Sequence, residues 1–177
     1  MAAKSYSSPP PMTIDPNKTY TATIKTNMGD IKATLDAKDS PQTVNNFVFL
    51  ARDHFYDGVK FHRVVKGFMV QTGDPQGTGA GGPGYTFKDE LDAAKKNGYK
   101  KGTLAMANRG PNTNGSQFFI MDADYALPPN YSVFGQVTEG QDVVAKIASV
   151  PTKPQPTGEN SAPTADVHID SVTIDER

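Results

Sequence analysis

Between Phe61 and Gln71 the chain runs Phe61-His62-Arg63-Val64-Val65-Lys66-Gly67-Phe68-Met69-Val70-Gln71. Apolar and polar side chains alternate through it, the period-two signature of strands with one buried face. Gly67 interrupts the run as a turn or bulge does. Arg63 lies inside this apolar, β-branched stretch, where a guanidinium is costly unless it meets a carboxylate, a carbonyl or a ligand. Two arrangements satisfy it. Either Phe68 and Met69 build a greasy pocket with one fixed cation and the Gln71 amide at its wall, or the arginine sits on an edge strand and reaches water over core aromatics. Taken by itself, the stretch favours the second.

The same alternation recurs along the chain. Thr19 to Asn27 and Ile31 to Leu35 alternate on either side of Met28-Gly29-Asp30, which predicts a hairpin. Gly102 to Asn108, Ser116 to Met121, Tyr131 to Val137 and Val167 to Ile174 read as further strands. Two segments carry helical spacing instead. Ser40 is placed as an N-cap and Pro41 at the first helical position, with Val44, Phe47, Val48 and Ala51 on one face of a helix to about His54. Glu139 to Val150 buries Val143, Val144, Ile147 and Ala148. Asp89 to Lys101 has no clear period, and Pro151 to Ala165, with four prolines, reads as a long loop. About eight strands and two helices without a βαβ rhythm disfavour a doubly wound parallel sheet. They predict a mainly-β fold: a closed eight-stranded antiparallel β-barrel, which leaves no open edge, capped by two α-helices. Residues 1–18 are expected to be a flexible proline-rich arm, and residues 19–177 one domain.

Composition removes several classes of function. A net charge of −1 offers no broad basic field for nucleic acid or an anionic membrane. With no cysteine there is no disulfide, no thiolate nucleophile and no cysteine-held metal. No apolar run has the length of a membrane span and no signal-peptide core is present. The expected location is therefore the cytoplasm, with export or tethering as the alternative if a leader has been removed. Gly77, Gly79 and Gly82 formally satisfy G-x-G-x-x-G, but Pro83-Gly84 follows where a nucleotide site needs a helix. His54, His62 and His168 lack metal-ligand spacing, and His62 is expected to be structural, bonded to backbone. Ser116 is not in a nucleophile elbow. The remaining set is apolar (Phe68, Met69, Phe119, Leu127) with Arg63, Gln71, Gln117 and Asn108 around it. Having neither nucleophile nor metal, it suits binding, or a reaction that breaks no covalent bond and needs no cofactor.

These residues carry a resemblance. Phe61-His62-Arg63-Val64, Gly67-Phe68-Met69-Val70-Gln71, Met106-Ala107-Asn108, Gly110 to Ile120 and Val133-Phe134-Gly135 resemble, in order and spacing, blocks of the cyclophilin family of peptidyl-prolyl cis-trans isomerases. The likeness runs from about Thr21 to Ile174 and leaves out the N-terminal arm. It implies a pocket for a proline ring formed by Phe68, Met69, Phe119 and Leu127, and substrate backbone held by Gln71, Asn108 and Gln117. Ala107 would line the groove and Arg63 would be the catalytic residue. Implied partners are proline-containing peptides and unfolded or folding proteins, met by a monomer that assists folding; a non-catalytic adaptor using the same groove is the alternative. Three positions depart from the family's familiar pattern. Ala126 stands where many members carry tryptophan, which weakens the expectation of cyclosporin-type ligands. Tyr131 replaces a histidine but keeps an aromatic wall. Arg109 follows Asn108 where a small residue is common, and is expected to gate the side pocket that reads residues before the proline.

Overall fold

The computed structural model describes residues 4–177. The chain passes through β1 (Tyr20–Thr26), β2 (Gly29–Leu35), α1 (Pro41–Arg52), β3 (Arg63–Val65), β4 (Met69–Thr72), α2 (Asp92–Asn97) and β5 (Thr103–Met106). It continues through β6 (Phe118–Met121), β7 (Val133–Glu139), α3 (Gln141–Ala148), β8 (Thr152–Pro154), β9 (Asn160–Pro163) and β10 (Ile169–Glu176). Eight strands form one curled antiparallel sheet in the order β10-β1-β2-β7-β5-β6-β4-β3, while β8 and β9 pair apart from it. The first hairpin has the expected place and register, from Tyr20 opposite Leu35 to Thr26 opposite Gly29. The Thr26 hydroxyl closes its turn, donating to the Gly29 carbonyl at 2.7 Å and accepting from the Met28 N–H at 3.0 Å.

Period-two alternation divides the sheet's apolar side chains between two clusters. Val70, Leu104, Met106, Phe118, Ile120 and Phe134 point inward and meet Val44, Phe47 and Leu50 of α1 in the main core. The Phe47 ring lies 5.3 Å from that of Phe118 and 5.2 Å from that of Phe134. The intervening residues Met69, Ala105, Phe119 and Met121 form a second cluster on the opposite face, with Tyr99, Val133 and the α2 alanines. Both faces of β5 and β6 are thus covered, which is why these two strands are buried throughout and, Thr103 apart, apolar.

The structure departs from the sequence reading at several places. Among the described residues there are three helices, not two. The third, α2, buries only Ala93 and Ala94, and two small side chains cannot write a period into the sequence. Pro151 to Ala165 is not all loop but contains the β8–β9 hairpin. Of the residues in its strands only Ser161 is fully buried, so the pairing leaves no alternating pattern to read. Ser40 does precede α1, yet its hydroxyl donates to the Val133 carbonyl at 2.5 Å and not to the helix. The helix's first N–H groups are served instead by the Glu90 carboxylate, 2.7 Å from Thr43 N and 3.2 Å from Gln42 N.

Residues 1–3 of the proline-rich arm lie outside the described residues; the rest of the arm, expected to be flexible, lies along α1. Ile14 is buried in the main core. The Asn45 amide receives Thr13 N–H at 2.9 Å and donates to the Pro11 carbonyl at 3.1 Å. Tyr6 packs edge-on against Phe49 at 5.1 Å, with its hydroxyl bonded to Asp53. Two apolar side chains in a polar segment suffice for docking when the helix supplies both a groove and polar anchors.

Candidate active site

Antiparallel register lines up one row of residues across five strands. Arg63 on β3 stands opposite Gln71 on β4, Gln71 opposite Phe119 on β6, Phe119 opposite Ala105 on β5, and Ala105 opposite Val133 on β7. A shared row means a shared face, so the cation, the amide and the aromatic ring emerge together on the side away from the main core. Above them opens a cleft of about 820 Å³ lined by Arg63, Phe68, Met69, Gln71, Ala107, Asn108, Phe119, Leu127 and Tyr131. Thus nine of the expected residues meet in one place. The second cluster provides its apolar floor: Met69 and Phe119 are buried, and Phe68, Leu127 and Tyr131 pack partly buried around them. The Tyr131 ring stands edge-on to Phe119 at 5.6 Å.

Arg63 takes the first of its two possible arrangements: its side chain is only one third exposed. Nη1 donates to Gln71 Oε1 at 3.2 Å and lies 3.9 Å from Met69 Sδ, while the guanidinium carbon sits 5.9 Å from the centre of the Phe68 ring. A one-way series of donors continues from there. Gln71 Nε2 donates to Gln117 Oε1 at 3.0 Å, and Gln117 Nε2 donates to the carbonyls of Gly79 and Gly81 at 3.0 and 2.9 Å. Because a guanidinium can only donate, Arg63 sets the orientation of both amides.

Gln117 also borders a second cleft of about 600 Å³ that shares Gln71, Gly79, Ala80, Ala107 and Asn108 with the first and is otherwise walled by residues 81–86, Arg109, Thr113, Gly115 and Ser116. Arg109 bridges its rim, Nη2 donating to the Gly79 carbonyl at 3.1 Å. The glycine-rich wall resembles a nucleotide loop in sequence because it does bind an anion, the chain's own Asp74. That buried carboxylate accepts from the N–H groups of Gln76, Thr78, Gly79 and Gly81 at 2.7–3.0 Å. Burial would raise the Asp74 pKa; the four backbone donors outweigh it and hold the group below the usual carboxylate range. Gly81 is required by this packing, since a Cβ there would stand 2.0 Å from Asp74 Oδ1.

His62 lines the first cleft but is not bonded as expected. Among the described residues its Nδ1 has no hydrogen-bond partner, and burial, with Arg63 nearby, keeps the ring's pKa below its ordinary value. Two contributions escaped the sequence reading. Tyr125, half exposed, stacks on Phe68 with ring centres 4.4 Å apart; it lies in a segment with no period. Gln155, Pro156, Thr157 and Glu159, from the turn between β8 and β9, complete the cleft wall. Glu159 grips Arg63 with both oxygens, Nε–Oε1 at 2.7 Å and Nη2–Oε2 at 3.0 Å. These bonds hold its carboxyl down at about 2.

An apolar cleft with fixed N–H donors, set on the outer face of a curled antiparallel sheet, has the chemistry to receive a short apolar group flanked by amides. The comparisons give this class its family. Residues 21–174 match the family described as cyclophilin type peptidyl-prolyl cis-trans isomerase/CLD. Peptidyl-prolyl cis-trans isomerase B of Streptomyces anulatus is 44% identical over 175 residues, covering 88% of this chain and 97% of that protein. Peptidyl-prolyl cis-trans isomerase A of Mycobacterium tuberculosis is 45% identical over 181 residues, covering 92% and 96%. Among solved structures, a cyclophilin-type isomerase of Cryptosporidium parvum superposes with a TM-score of 0.79 at 33% identity, covering 90% of this chain and 99% of that one. A second crystal structure of that protein, in the presence of the dipeptide Ala-Pro, gives 0.78. The chain belongs to the cyclophilin-type peptidyl-prolyl cis-trans isomerase family. Its fold is the mainly-β cyclophilin fold and its activity is peptidyl-prolyl cis-trans isomerisation. Among the described residues no helix is long and apolar enough to cross a membrane.

Proposed function

We propose that the first cleft holds the proline of an X-Pro segment and that Arg63 accelerates rotation about the bond before it. An amide resists rotation by about 18–20 kcal/mol because resonance gives its C–N bond partial double character. Uncatalysed X-Pro exchange therefore takes on the order of tens to hundreds of seconds. Twisting the bond breaks the resonance and leaves a lone pair on the proline nitrogen. A donor aimed at that nitrogen stabilises the twisted state more than either planar one, and only such a difference lowers the barrier. The observation that carries this reading is the position of Arg63 Nη1, held between Gln71 Oε1 and Met69 Sδ at the edge of an apolar floor. Phe68, Met69, Phe119 and Leu127 would seat the ring and exclude water, which strengthens the donor's effect. Gln71, Gln117 and the chain at Asn108 would hold the substrate backbone, with Ala107 along the groove and Tyr131 as a wall. Arg109, charged and across the second cleft, would gate what precedes the proline. The Ala-Pro dipeptide used with the Cryptosporidium protein supports proline-containing peptides as the substrate class here.

We infer, too, that the sheet closes into a barrel beyond its paired strands. An antiparallel bridge joins Lys60 to His168, and Phe61 N–H reaches the Val167 carbonyl at 2.9 Å. These contacts connect the lead-ins of the two edge strands.

Arg63→Ala is expected to lower turnover on an X-Pro peptide by on the order of 10²–10³, as loss of one oxyanion donor does. The far-ultraviolet circular dichroism should stay as in the parent chain. Near-normal turnover in the variant would remove Arg63 from the mechanism.

A further inference from the structure

Resting on that reading of Arg63, we propose that Glu159 is a positioning residue for the isomerase reaction, one that holds the guanidinium in its working plane. The carboxylate takes the Nε and Nη2 edge at 2.7 and 3.0 Å, leaving Nη1 toward the cleft. Such a side-on, two-bond grip fixes both the position and the plane of the group, which one bond does not. Glu159 is itself held. The Ser161 hydroxyl donates to its Oε1 at 2.6 Å, and its own carbonyl accepts from Gln155 N–H at 2.7 Å. Gln155 Nε2 in turn donates at 2.7 Å to the carbonyl of His62, the residue before Arg63. The turn is therefore clamped to the backbone that carries the arginine, and side chain and scaffold are located together.

Two effects of the carboxylate oppose each other. Its charge subtracts from the cation's field at the proline nitrogen, while its geometry removes the long side chain's freedom in advance. The carboxylate is 40% exposed and occupies the Nε and Nη2 edge of the guanidinium, leaving Nη1 free of it. Water screens its charge there, while the side-on two-bond geometry still sets the plane of the group. Positioning is the larger effect, and the pair presents its positive end to the substrate.

The test is a double-mutant cycle of Glu159→Ala with Arg63→Ala, alongside Glu159→Gln, read as kcat and KM on an X-Pro peptide. In the parent background Glu159→Ala is expected to lower kcat about tenfold with KM nearly unchanged, the pattern of a group misplaced only in the transition state. Glu159→Gln, which keeps one acceptor for Nε–H, should lose about threefold. In the Arg63→Ala background Glu159→Ala should have no further effect. In nitrogen-15 NMR spectra the Arg63 Nε–H signal is expected to exchange slowly in the parent chain and to be lost in Glu159→Ala. Unchanged or faster turnover in Glu159→Ala would overturn the proposal and make the pair a brake or a surface bond. An equal loss with and without Arg63 would overturn it as well, leaving only a structural role. Normal turnover of Arg63→Ala by itself is a separate result and would overturn the reading on which the proposal rests.

Discussion

Asp74 shows how much one side chain can organise. Its carboxylate gathers four N–H groups of the glycine-rich loop that walls the second cleft. Asp74→Asn keeps the shape but loses the charge and an acceptor oxygen, so stability should fall by roughly 2–3 kcal/mol, read as an earlier midpoint in urea. The pH dependence has a definite sign. A carboxyl whose pKa is lower in the folded chain than in the unfolded one stabilises the fold above its unfolded pKa, and that contribution disappears as pH falls through the folded value. Asp74 and Glu159 are both lowered, Glu159 from 4.5 to about 2. The parent chain should therefore lose stability as pH drops from about 4.5 toward 2, and Asp74→Asn should lose less over the same range. Parallel curves for the two chains would contradict this. At this scale, alternation puts Met69 with Gln71, and Phe119 with Met121, on one face of their own strands, while the pairing register brings Arg63 beside them. It says nothing of Glu159, 96 positions from Arg63 in a segment without a period.

Elements were legible where one face is buried and the other is not. β1 and β2 alternate, and α1 and α3 carry apolar stripes, so each could be placed to within a few residues. α2 and the β8–β9 hairpin bury too little to leave a pattern. The amino-terminal arm is a further case, since Ile14 and Tyr6 are widely spaced apolar anchors within polar and proline residues. A truncated chain beginning at Asn17 should lose about 3 kcal/mol, the worth of one buried isoleucine and one half-buried tyrosine. For a chain of this size that lowers the thermal unfolding midpoint by roughly 6–12 °C. An unchanged midpoint in calorimetry would show that the contacts along α1 add nothing to stability.

In the whole molecule, the strand nearest the carboxyl terminus completes what the first strand begins. β10 pairs with β1 from Tyr20 opposite Glu176 to Thr26 opposite Ile169, and Thr19 and Arg177 exchange backbone hydrogen bonds at 2.8 and 2.9 Å. Removing the residues after Ser171 should strip β1 of that partner and leave an open edge next to a buried core, a template for aggregation. The expected result is insoluble protein, measured as the soluble fraction after expression. A soluble monomer with full activity would show that the pairing is dispensable. Short-range physics decided the strands of the main sheet, the two longer helices and the face to which each of their residues points, because neighbours in sequence set backbone period and burial. Clefts, charge partners and helix caps depend on which distant segments meet. Thus only the tertiary structure could place Glu159 on Arg63, Glu90 on α1 and Asp74 inside its loop of glycines.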